Sequence, residues 1–174
     1  ADGRIWVGTL SAGVYELAAD GRILRHLDAA SGLAGDDVRA LLVDARNRVW
    51  IGTYTGLSRI DARAALPRRW PGDEFRSDGL ASERVHALLQ DRDGLVWIGT
   101  WLGGVHLYQP GADAFREFRA VADDPRGLPG RGVRAIEQDR DGSLWLGVQE
   151  GGGLVRFDPE RGVQQRYQPG AIGE

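Results

Sequence analysis

The chain has 174 residues, 26 of them glycine, with no cysteine and no methionine; all 22 basic residues are arginine and the net charge is −3. That balance excludes the strong positive field by which proteins hold nucleic acid, and the missing cysteines exclude a disulfide framework and any thiolate metal site. No leader and no apolar run long enough to cross a bilayer is seen. The chain opens inside a repeat, however, and reads as a piece of a longer protein, so these absences describe the piece alone.

In chain order, residues 4–9 (RIWVGT) read as a strand, β-branched and aromatic residues bounded by turn formers. Residues 13–17 form a second strand, Asp20-Gly21 a tight turn, residues 22–27 a third strand, and residues 31–37 a loop. The run at 38–43 is almost continuously apolar, as in a strand covered on both faces. Strands follow at 48–53 and 56–61, then an irregular one near 67–70 and a polar loop ending at Leu80. The scheme recurs more cleanly with strands at 85–90, 95–100, 104–108 and 114–119, and again at 133–138, 143–148, 153–157 and 162–167.

Trp6, Trp50, Trp97 and Trp145 mark the second strand of each copy, spaced 44, 47 and 48 residues apart. Each is followed by an aliphatic residue and then Gly8, Gly52, Gly99 or Gly147. A period of this length signals stacked supersecondary units. Each unit is a four-stranded antiparallel meander that cannot bury both faces alone. Sheet twist favours a fan over a flat stack, so the expected fold is all-β, a β-propeller segment. It has about three and three-quarter blades, the first lacking its innermost strand. Residues 1–37 form the incomplete blade, and 38–84, 85–132 and 133–174 the complete ones.

The motif Gly79-Leu80, Val85-His86-Ala87-Leu88, Asp91, Gly94, Val96-Trp97-Ile98-Gly99-Thr100, Gly103-Gly104-Val105 resembles the two-component regulator propeller repeat, and the likeness runs along essentially the whole chain. The resemblance implies seven-bladed propellers, often in tandem, serving as periplasmic sensors of membrane-bound histidine kinases, hybrid regulators and diguanylate cyclases. It implies a non-catalytic role in sensing carbohydrates or their breakdown products. The chain is shorter than one such propeller.

Repetition separates scaffold from site. The four tryptophans and four glycines recur in every copy, so they read as inter-blade filler and points of close backbone approach. Asp91–Gly94 and Asp139–Gly142 lack the further ligands of a calcium loop and read as hairpin turns, so no metal and no cofactor is expected. The positions that differ between copies are the candidates for function. The turn after the second strand carries Tyr54, Trp101 or Gln149-Glu150, and the residue after the first-strand valine is Arg39, His86 or Arg134. Both positions are expected on one rim, where arginine forks and aromatic faces suit a small molecule, an oligosaccharide or an anion. The opposing expectation is that Arg39 and Arg134 pair with carboxylates such as Asp37 or Glu137. Glu137 stands where Leu42 and Leu89 stand in the other copies, and needs a partner, with Arg134 nearest in sequence, or channel water. His26, His86 and His106 fall at unrelated repeat positions, and no catalytic residue is expected.

The reading is a non-catalytic ligand-sensing segment without membrane contact of its own. Its partners are the remainder of a parent propeller or a second copy. In the alternative, open blade edges self-associate into a ring of about eight blades. A lyase-like enzyme ranks third.

Overall fold

The computed structural model describes residues 3–61, 64, 66–71, 80, 82–112 and 114–168. Four antiparallel sheets follow one another along the chain. The first holds β1 (Ile5–Gly8), β2 (Val14–Leu17) and β3 (Ile23–Leu27); the second β4 (Val38–Val43), β5 (Val49–Thr53), β6 (Gly56–Ile60) and β7 (Arg68–Pro71). The third holds β8 (Val85–Gln90), β9 (Val96–Thr100), β10 (Val105–Gln109) and β11 (Ala114–Phe118); the fourth β12 (Val133–Gln138), β13 (Leu144–Val148), β14 (Gly153–Asp158) and β15 (Gly162–Tyr167). Every strand pairs with its sequence neighbour, and no helix occurs among the described residues. These are β-propeller blades, the first with three strands, and β4, β8 and β12 pack against one another as the innermost strands. The loop read at 72–79 and the tail at 169–174 lie outside the described residues.

The hairpin between the first and second strands turns on one left-handed residue three places before the tryptophan. It is Gly3, Asn47, Gly94 and Gly142, with φ of 70°, 56°, 80° and 93°. Asparagine tolerates that region best after glycine, which explains the one exception.

Strand alternation then sorts the side chains between neighbours. Trp50 lies in a core with Leu57, Trp70, Val85, Val96, Ile98 and Tyr108, between the second and third sheets. Its neighbours Val49 and Ile51 face the opposite way, into a core with Val14, Leu27 and Val38 between the first and second sheets. Trp97 likewise enters the core between the third and fourth sheets, beside Val133, Leu144 and Phe157. Each tryptophan thus points to the following blade and its aliphatic neighbours to the preceding one. Trp50 and Trp97 are 0% and 2% exposed, whereas Trp6 and Trp145 are only half-buried. Trp145 faces away from the other three sheets and packs on Tyr167 of its own blade, with ring centroids 5.7 Å apart.

The recurrent glycine leaves room for the next blade. A Cβ on Gly8 would meet Val38 Cγ1 at 2.5 Å, one on Gly52 would meet Val85 Cγ1 at 2.5 Å, and one on Gly99 the Val133 carbonyl at 2.8 Å. The innermost-strand valine of one blade is therefore seated on the glycine of the blade before it. Between the second and third blades Arg59 is also buried, its guanidinium 5.2, 5.5 and 5.7 Å from the rings of Trp50, Trp70 and Tyr108. It donates to the Tyr108 hydroxyl at 2.8 Å.

Candidate functional site

The innermost strand of each complete blade carries the same irregularity. Pairing with the second strand slips between Val38 and Ala40, Val85 and Ala87, and Val133 and Ala135. Arg39, His86 and Arg134 are the extra residues, each in a β-bulge, a device that re-aims a side chain without dissolving the sheet. The turn after the second strand is tied to the same end of the blade. The amides of Tyr54, Trp101 and Gln149 donate to the carbonyls of Asp37, Arg84 and Gly132 at 3.0, 2.9 and 2.8 Å. The bulge and the turn therefore lie together on one rim in all three blades.

There the side chains form a run of alternating cations and rings. The Arg39 guanidinium lies 6.0 Å from the Tyr54 centroid, and Arg84 lies 4.3 Å from Tyr54 and 5.9 Å from Trp101. Arg134 lies 4.5 Å from Trp101 on the fourth blade's side. His86 sits within the run, its ring centroid 5.5 Å from that of Trp101. Burial, and then the charges of Arg134, Arg39 and Arg84, hold its imidazole below the ordinary value of 6.5, against a smaller opposing pull from Asp37. His86 Nε2 is buried and has no hydrogen-bond partner. Arg39 donates to Asp37 at 2.6 Å. Arg84 and Arg134 have no carboxylate partner among the described residues.

Of the positions singled out in the sequence, Arg39, Tyr54, His86, Trp101 and Arg134 come together. Gln149 occupies the matching turn of the fourth blade but brings no ring. Glu137 does not join them. The expected pair with Arg134 is absent: Arg134 is held over Trp101 by its bulge, while Glu137 lies further down β12, opposite Trp145, and is exposed. The other expected pair, Arg39 with Asp37, is present. Arg84 escaped the sequence reading. It precedes Val85 where the other copies have Asp37 and Gly132, so the same variation between copies that marked its neighbours marks it too.

The opposite rim is built on repetition. Asp91 accepts from the Asp93 and Leu95 amides at 3.0 and 2.8 Å through Oδ1, and from the Trp97 indole at 2.7 Å through Oδ2. Asp44 does the same for Arg46, Arg48 and Trp50, and Asp139 accepts from Arg140 and Trp145. These carboxylates organise the hairpin and anchor the tryptophan. The remaining histidines serve separate surroundings. His26 stacks on Tyr15 at 4.4 Å, and His106 is buried beside Glu117, its cross-strand partner. A groove of about 370 Å³ lined by Arg116, Phe118, Leu128, Phe157 and Arg161 lies at the outer edge between the third and fourth blades, away from the rim. On that rim Tyr54 is exposed and Trp101 half-buried.

The two component regulator propeller model matches residues 32–55, 79–102 and 127–150, the stretches that carry the bulge, the hairpin and the turn. Three copies of the two-component regulator propeller repeat therefore stand in this chain. No curated protein matches its sequence. Among solved structures, this chain is similar to the extracellular domain of the hybrid two component system BT3049 from B. thetaiotaomicron, with 26% identity and a TM-score of 0.70 over 88% of this chain and 18% of that one. It is also similar to the extracellular domain of BT4673 from the same organism, with 18% identity and a TM-score of 0.75 over 95% of this chain and 23% of that one. Virginiamycin B lyase from Staphylococcus aureus shares 15% identity at a TM-score of 0.72, over 98% of this chain and 54% of the lyase, a likeness of fold alone. The chain thus spans about a fifth of the length of the two extracellular domains.

Proposed function

We propose that the chain is a ligand-sensing, non-catalytic segment of an extracytoplasmic propeller, periplasmic in a parent two-component-type membrane sensor. Its blades divide at 37/38, 84/85 and 132/133, and its ligand, a carbohydrate or a breakdown product of one, rests on the rim of Arg39, Tyr54, Arg84, Trp101 and Arg134. The observation that supports this reading is the stacked run itself. It falls on positions that differ between copies, where a shared scaffold would use the same residue each time, and it is aimed by bulges. Thermal-shift screening against an oligosaccharide panel tests it. The expected outcome is stabilisation by at least one sugar, lost in Trp101→Ala. A flat response across the panel would sink the reading.

A second reading has one observation of its own. The innermost edge of the first sheet has no strand beside β1 among the described residues, and Ile5 and Val7 there are exposed. Unpaired edges recruit strands. On this reading two copies close a ring, and light scattering would give twice the 19.0 kDa chain mass. A folded monomer would exclude it.

A further inference from the structure

We infer that the rim ligand is anionic, and that its carboxylate or sulfate group is bound by Arg84 and Arg134 beside Trp101. This rests on the rim being the sensing site.

Charge is the first ground. Among the described residues the three guanidinium groups of the run, Arg39, Arg84 and Arg134, have one carboxylate partner, Asp37, which is engaged with Arg39; Glu150, in the matching turn of the fourth blade, pairs with Arg131. The chain as a whole carries −3, so this concentration of uncompensated positive charge runs against the overall balance. Arg84 and Arg134 lie 5.9 and 4.5 Å from the same Trp101 centroid. Like charges gathered on one rim weaken it, and a bound anion offsets that cost.

Hydrogen-bonding capacity is the second. A neutral sugar offers hydroxyls that donate as well as accept, and a site for it needs acceptors to match. Among the described residues the run offers chiefly donors, and Asp37 is engaged with Arg39. A guanidinium offers its N–H groups as a planar fork, which suits paired bonds to an oxyanion. His86 adds a buried Nε2 without a partner beside the same ring. The groups around it are Arg84 from its own blade, Arg39 and Asp37 from the blade before, and Arg134 from the blade after.

Isothermal titration of the 174-residue chain with three probes tests the inference: a uronate disaccharide, the neutral disaccharide of the same linkage, and sodium sulfate. The uronate is expected to bind and the neutral sugar not, with affinity falling as salt rises. Arg84→Gln and Arg134→Gln are each expected to weaken uronate binding about tenfold, the scale of a charge-assisted hydrogen bond. Sulfate binding as tightly as the uronate also supports an anion site, with a free oxyanion as its occupant. If the neutral disaccharide binds equally well and only Trp101→Ala abolishes it, the anion assignment falls and rim sensing stands. If no probe binds to chain shown folded by circular dichroism, both fall.

Discussion

His86 is the residue whose chemistry is set most clearly by neighbours on other blades. Its imidazole is neutral at neutral pH because burial and three guanidinium charges oppose protonation. In the unfolded chain the same ring takes up a proton near its ordinary value of 6.5. Below that value the unfolded state binds more protons than the folded one, so stability is complete above about pH 6.5 and is lost as pH falls toward the depressed folded value. Urea unfolding across this range should show that loss, and His86→Gln should flatten it; an unchanged slope in the variant would place the effect elsewhere. An anion on the rim would offset the arginine charges, so its binding should draw a proton onto His86 and tighten as pH falls through the same window.

At the scale of the element, the second strand of each blade does two jobs through alternate residues. Its tryptophan fills the next interface, and its glycine admits the next blade's valine. The glycines are therefore unequal, although the motif is the same. Gly52→Ala drives a methyl into Val85 at 2.5 Å, and a β-branched side chain on an innermost strand has little room to yield. We expect a loss of about 1–3 kcal/mol, the range of core overpacking. At Gly147 the same methyl meets only Ala135 of its own blade, at 3.3 Å or more. Gly147→Ala should stay within about 0.5 kcal/mol, in the range of surface substitutions. Equal losses at the two positions, measured by chemical unfolding, would contradict the seating of valine on glycine.

For the molecule as a whole, stability should follow the interfaces, because each blade touches only its neighbours. The second and third blades are covered on both sides, and β5 and β9 are buried along their full length. Their shared interface adds the Arg59 cluster of three rings and a hydroxyl. The outer faces of the first and fourth blades expose Ile5, Val7, Leu154 and Tyr167. Amide hydrogen exchange should therefore be slowest in β5, β6 and β9 and fastest in β1 and β15. Uniform protection across the four sheets would show that the open faces are covered in solution, as in a ring of two copies.

The blade plan was legible in the sequence because it is written four times. Trp-aliphatic-Gly, the apolar first strand and the left-handed turn residue each answer a local demand that recurs with the period, and Asn47 in place of glycine did not obscure it. Position on the rim was legible too, as the places where copies disagree. Arg84 was missed although variation between copies marks it, and the Arg134–Glu137 pair, one of the alternatives the sequence left open, is absent because the bulge carries Arg134 to Trp101. A one-residue slip in strand pairing changes where a side chain points while leaving no composition or spacing that announces it. By itself the sequence determined the repeat, the strands and the residues free to vary, all consequences of periodicity and local backbone preference. Only the tertiary structure decided that arginines from three blades alternate with Tyr54 and Trp101 around a neutral histidine, because that run exists only when successive blades stand side by side.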